Sequence, residues 1–163
     1  MRTSYAAVLQ TPVGKFLLTA SEKGLATVDK IFFEDPSTAL EMMDRDGSNA
    51  KAMAPYIEQF NEYFAGTRKE FTFPLDMQGT DFQIACWYAM RNIPYGQVRS
   101  YAEIADRIGR PGGARAVGAA CRTNKLAIVI PCHRVVTAKK EVGEYQWGVL
   151  TKQALLTHEG VKI

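Results

Sequence analysis

The chain has 163 residues, of which 47% are apolar, 23% charged and 10% aromatic, with a formal net charge of +3. That length and balance fit one compact domain, or two small ones sharing a core, and exclude a disordered chain. No apolar stretch is long enough to span a membrane, and the opening run "MRTSYAAVLQTPVGK" is broken at Gln10, Thr11 and Pro12; neither a signal peptide nor an anchor is expected, and a soluble, intracellular protein is.

Three short runs rich in apolar and β-branched residues come first: "SYAAVLQ", "KFLLTAS" and "LATVDKIFF". The turn sequences "TPVG" and "SEKG" separate them, which predicts a β-meander. Pro36 breaks the chain. "STALEMMDRD" predicts a helix ended by Gly47, and "APYIEQFNEYFAG" a second, with Tyr56, Ile57, Phe60, Tyr63 and Phe64 on one face and Gly66 as its stop. This region holds no histidine, no cysteine and no glycine-rich phosphate loop, so its role reads as structural. The boundary is placed within "TRKEFTFPLDMQG", giving domains 1–76 and 77–163.

The second region reads as mostly helical. "TDFQ" (80–83) and "SYAE" (100–103) both fit capping boxes, the first opening "IACWYAMRN", the second opening a helix that Gly109 ends. After "RPGG" comes "ARAVGAACR", residues 114–122. Two short helices around a tight glycine-containing turn, the second one basic, make a helix-turn-helix pattern. Apart from Arg115 and Val117, residues 114–120 are all Ala or Gly. Such a slim helix can pack closely on its own core, or approach a narrow groove with Arg115 as its one long cation, as minor-groove and base-flipping proteins do.

Charge divides the same way. Residues 1–78 carry 8 Lys and Arg against 11 Asp and Glu, and residues 79–163 carry 12 against 6, so a basic second half suits a polyanionic partner. The three cysteines, at 86, 121 and 132, have no C-x-x-C spacing, and the two histidines add no ligand spacing; neither a disulfide framework nor a metal site is expected. Cys132 sits beside His133. The thiolate is the nucleophilic form of cysteine, and a histidine held by a carboxylate is a general way to produce it. The candidate base is His133 or His158. Neighbours in an extended segment point to opposite sides, so Cys132 and His133 need a local turn or a water relay.

"IPCHRVV" at 130–136, "GQVRSYAEIA", "ARAVGAACRTN" and "VGEYQWGVLTKQALLTHEG" together resemble the O6-alkylguanine-DNA alkyltransferase (methylated-DNA–protein-cysteine methyltransferase) family over residues 80–160. The resemblance implies an α/β N-terminal domain, an antiparallel β-meander plus helices of RNase H-like type, then a mostly α C-terminal domain with a winged helix-turn-helix. It implies that Cys132 accepts the alkyl group, that His133 acts on it through a water, that Glu159 orients His133, and that Asn124 braces the turn. Tyr101 would promote flipping and hydrogen-bond the base, and Arg115 would fill the gap left by the flipped guanine. Ser100, Ala114, Ala116, Gly118 and Arg122 complete the DNA-facing set. Cys121, Val135, Val142, Gly143, Tyr145, Gln146 and Trp147 would line the pocket, with the carbonyls of Cys132 and Val135 accepting from the guanine amine. The partner implied is double-stranded DNA containing O6-alkylguanine, bound from the minor groove by a monomer, without cofactor, metal or membrane. The place implied is the cytoplasm, on the nucleoid when bound to DNA, or the nucleus of a eukaryote. Trp147, where some members have glycine, predicts better transfer of methyl than of benzyl.

A thioether product has no carbonyl for water to attack, so each molecule is expected to work once. Three other readings compete. A non-catalytic alkylated-DNA binding relative would have no use for the cysteine. A Cys132–His133 hydrolase would leave the helix-turn-helix without a role. A sequence-reading regulator would need more on "ARAVGAAC" with which to contact base edges. Cys86 is read as core, His158 as a surface residue, and Lys139 and Lys140 as a solvated turn.

Overall fold

The computed structural model describes residues 4–163, which form two compact units, the first running to Met77 and the second spanning Gln78–Ile163.

In the first unit, β1 (Ser4–Thr11), β2 (Gly14–Ser21) and β3 (Gly24–Lys30) form an antiparallel meander in the order β1-β2-β3. The alternation buries Phe16, Leu18 and Ala20 on one face of β2. Gly24, at φ +142, lies against the Pro74 carbonyl so closely that a Cβ would sit 2.2 Å from its oxygen, and Leu25 exchanges hydrogen bonds with Pro74 and Asp76 there. β3 stops at Lys30 instead of running through "IFF". The Ile31 amide still donates to the Lys15 carbonyl of β2 at 2.8 Å, but the ladder goes no further and Phe33 is left 96% exposed.

α1 (Ser37–Met43) follows, then α2 (Ser48–Ala65). α2 begins six residues earlier than "APYIEQ" predicts and carries Pro55 in its interior. Its first turn is anchored from outside. The Asp44 carboxylate accepts from the Asn49 and Ala50 amides, both at 3.0 Å, and the Asn49 side chain pairs with both backbone groups of Ala6 on β1. Met53, Phe60 and Tyr63 are buried beneath, and Phe60 packs on Phe71 at 4.9 Å. These anchors and that burial offset the hydrogen bond and the fit that an interior proline forfeits.

The second unit is built on α3 (Asp81–Arg91), α4 (Tyr101–Arg107), α5 (Ala114–Arg122) and α6 (Val149–His158). Both predicted capping boxes form, Thr80 with Gln83 and Ser100 with Glu103. Cys86, Trp87, Met90, Ile104, Val117, Leu155 and Leu156 make the core. The Trp87 indole donates to the Ala120 carbonyl at 2.9 Å, tying α3 to α5. β4 (Arg99–Ser100) pairs in parallel with β5 (Val135–Val136). That short ladder sets the start of the helix-turn-helix beside the segment that follows Cys132. No helix among the described residues is long and apolar enough to cross a membrane.

Candidate active site

Asn124 shapes the approach to Cys132. Its side chain accepts from the Leu126 amide at 2.9 Å and donates to the Ile130 carbonyl at 2.8 Å, closing a tight, buried bend. Inside that bend Ile128 adopts φ 74, a left-handed conformation that a β-branched residue reaches only when its surroundings impose it. A 3₁₀ turn, Cys132–Arg134, follows immediately. This is the local turn that adjacent Cys and His side chains require.

His133 has no exposed surface. Its Nε2 lies 2.8 Å from Oε2 of Glu159, just past the end of α6. An ionised carboxylate can only accept, so in the neutral ring the proton sits on Nε2 and Nδ1 carries a free lone pair. His133 Nδ1 and the Tyr145 hydroxyl are buried and have no hydrogen-bond partner among the described residues. Burial acts to raise Glu159, but hydrogen bonds from His133 and Arg134 hold it well below the usual carboxylate range. Burial pushes His133 below its ordinary value, against the opposing pull of Glu159. Burial also lifts the Cys132 thiol to about 11. The resting site therefore pairs a neutral thiol with a neutral imidazole.

Cys132 faces a cavity of about 380 Å³. Cys121 lies beside it, its thiol pushed up by burial. One wall is α5, through Ala114, Arg115, Gly118 and Arg122; the other is the loop Gly143–Gln146; Tyr101 and Thr137 close it. Gly143 has φ +75, and a Cβ there would lie 3.4 Å from the Tyr101 hydroxyl. Burial lifts Tyr101 to about 12, so it stays a hydroxyl donor. The Gln146 side chain donates to the Asn124 carbonyl at 3.0 Å, joining the loop to the bend.

Cys132, His133, Glu159, Asn124 and Tyr101 thus meet in one place, with Cys121, Gly143, Tyr145 and Gln146 around the cavity. Val142 and Trp147 are not among its lining residues. Trp147 instead packs edge-on against Tyr145, a lining residue, at 5.9 Å. Val135 contributes no lining side chain, and its carbonyl already accepts from Lys152 at 2.7 Å. Ser100 caps α4. On α5, Arg115, Ala116 and Arg122 are exposed, while only Val117 and Ala120 are buried. The small residues therefore largely face outward, and core packing does not account for them. Arg115 has no hydrogen bond or ion pair among the described residues, whereas Arg122 stands 4.0 Å from Glu144. No group of metal-ligating side chains occurs among the described residues.

Sequence reading missed Arg134, Lys152 and Thr137. Arg134 grips Glu159, and Lys152 is wholly buried beneath Tyr101. Both are cations that composition alone assigns to solvent.

Two family models match the chain. One describes the DNA binding domain of 6-O-methylguanine DNA methyltransferase, over residues 81–161, and the other its ribonuclease-like domain, over residues 4–77. A methylated-DNA–protein-cysteine methyltransferase of Methanosarcina acetivorans is 39% identical over 156 residues, covering 96% of this chain and 98% of that protein. One from Mycobacterium tuberculosis is 51% identical over 108 residues, 66% of each. The crystal structure of the M. tuberculosis O6-methylguanine methyltransferase superposes with a TM-score of 0.79 at 38% identity, over 96% of this chain and 93% of that one. A structure from the same organism in complex with DNA gives 0.80 at 36% identity, over 95% and 92%.

Proposed function

The chain belongs to the 6-O-methylguanine DNA methyltransferase family and acts in the repair of alkylated DNA, as a methylated-DNA–protein-cysteine methyltransferase; we propose that it moves the alkyl group to Cys132, from a guanine flipped out of the duplex, once per molecule. The observation that carries this reading is one cavity lined both by Arg115 on the outer helix and by the buried Cys132.

The slim outer face of α5 enters the minor groove, and Arg115 takes the place of the extruded base. Phosphate contacts supply the affinity, so binding falls with salt and is nearly blind to sequence. The flipped base enters between α5 and the loop Gly143–Gln146, where the unpartnered Tyr145 hydroxyl finds a hydrogen bond.

His133 accepts the Cys132 proton at Nδ1 through a water that fills the orphaned site beside it. The thiolate attacks the alkyl carbon; the C–S bond forms as the C–O6 bond breaks, and the electron pair leaves with the guanine. The Tyr101 hydroxyl donates a hydrogen bond to the departing base. Nothing in the cavity can hydrolyse the thioether, so the protein is consumed.

Intact mass after mixing with a duplex carrying one O6-methylguanine tests the proposal. It requires the gain of a single methylene on Cys132, saturating at one per chain and absent in Cys132→Ala. A gel shift without a mass gain would make the protein a damage-binding relative.

A further inference from the structure

Arg134 lies behind the base, not in the cavity. Its Nε donates to Glu159 Oε1 at 2.7 Å, one terminal nitrogen to Oε2 at 3.0 Å, and the other to the Ile93 carbonyl at 2.7 Å. The clamp is buried, with the guanidinium 5.7 Å from the Tyr95 ring. A buried ion pair is seldom a net gain over apolar packing, so stability is a weak reason to place one here. This one falls on the carboxylate that also holds His133.

A carboxylate beside an imidazole favours the protonated ring, with burial acting against it. An imidazolium has no lone pair and cannot take the thiol proton. Arg134 supplies Glu159 with a permanent counter-charge on both oxygens, leaving Oε2 to accept one more hydrogen bond from a neutral ring.

We infer that Arg134 is a positioning residue that keeps His133 neutral and fixes its proton on Nε2, so that Nδ1 is the acceptor for the Cys132 proton. The proton leaves Sγ and ends on Nδ1, giving a thiolate and an imidazolium that offset each other. The groups acting on His133 come from several elements: Glu159 and Lys152 at and on α6, and Arg134 in its own turn; Tyr95, after α3, faces Glu159 and Arg134. Burial is the largest influence lowering His133; Glu159 raises it, and Arg134 and Lys152 lower it. The consequence for rate rests on the reading of Cys132 as acceptor; the ring's protonation does not.

The test is a pH titration of ¹⁵N-labelled histidine in the full-length protein, which has two histidines, beside single-turnover methyl transfer. Wild-type His133 is expected to stay neutral, with its proton on Nε2, below the ordinary value of about 6.5. Arg134→Gln should raise that titration and slow transfer increasingly as pH falls toward and below the raised value, with near-normal rates at alkaline pH. Arg134→Lys, which keeps the charge but reaches one oxygen, should restore most of both. A loss equal at every pH with an unmoved titration would reduce Arg134 to a structural clamp and overturn the inference. If Arg134→Gln does not fold, the Lys variant decides: a small upward shift supports the inference and none overturns it. If wild type transfers nothing to Cys132, the proposed function fails, and the ring titration still reports on Arg134.

Discussion

Lys152, a lysine with no exposed surface, donates to the Val135 carbonyl at 2.7 Å and so joins α6 to the strand that follows the cysteine turn. The same nitrogen donates to the Glu144 carbonyl at 3.0 Å and to the Tyr101 hydroxyl at 3.5 Å. One ammonium thereby holds a strand, the pocket loop and the residue that opens the helix-turn-helix. Lys152→Met keeps the length and removes all three donors. Each buried carbonyl left unmet costs about 1–3 kcal/mol, so the denaturation midpoint should fall and methyl transfer should slow with it. A midpoint equal to wild type would show that the nitrogen holds nothing together.

Arg115 and Ala116 separate DNA engagement from folding. Both are exposed on α5. Arg115→Ala should leave stability within about 0.5 kcal/mol of wild type. Transfer from duplex DNA should fall by roughly ten- to a hundredfold, since base stacking of the kind proposed for Arg115 is worth about 1–3 kcal/mol. Transfer from the free modified base should not change. Ala116→Phe, which thickens the helix outward, should likewise fold and yet bind duplex poorly. Loss of the free-base reaction in either variant would place the defect in the pocket.

Asn124 is worth more to the bend than a surface turn residue. Its two hydrogen bonds are both buried, and they hold the left-handed Ile128 in place. Asn124→Ala leaves the Leu126 amide and the Ile130 carbonyl unmet, an expected loss of about 2–4 kcal/mol read by chemical denaturation. Asn124→Asp keeps the acceptor and loses the donor, so it should fall between the two. Lys125, next in sequence, is exposed and leaves the brace intact.

How far the sequence was legible follows from the range of each signal. The capping boxes at Thr80 and Ser100 act within four residues, and both were readable. So was the need for a turn between Cys132 and His133, because strand geometry forbids their direct contact. The start of α2 was not, because Asp44 and Asn49 anchor it from outside the helical pattern while Pro55 mimics a first turn. Phe32 and Phe33 looked like strand, but the ladder with β2 does not extend to them. His133 and His158 were equal candidates until family resemblance separated them; the structure gives the reason, in Glu159 reaching back to His133 across 26 positions. Arg134 and Lys152 carried no local mark. Their burial depends on carbonyls at Ile93, Val135 and Glu144 that only the folded chain brings near.

Stability should carry the imprint of Glu159. Its folded-state pKa is depressed, so its contribution is complete above the unfolded carboxylate value of about 4.3 and is lost as pH falls below that toward the folded value. Melting temperature should therefore drop through the acid range in wild type. Glu159→Gln should melt lower at neutral pH and show a shallower acid decline, because the group that titrates is gone. Parallel curves for the two proteins would mean that Glu159 titrates in the folded state as it does in the unfolded chain.

Trp147 bears on which alkyl groups enter. It packs edge-on against Tyr145, which lines the cavity. A wall backed by a second aromatic ring yields less than one backed by solvent, so methyl should transfer faster than benzyl in the wild-type protein. Trp147→Gly removes the backing without touching the cavity directly. Tyr145 can then swing outward, and the benzyl rate should rise relative to the methyl rate. The check is the ratio of single-turnover rates on duplexes carrying O6-methylguanine and O6-benzylguanine. Equal wild-type rates, or a ratio unmoved in Trp147→Gly, would show that Tyr145 keeps its position unaided and that selectivity is set elsewhere in the cavity.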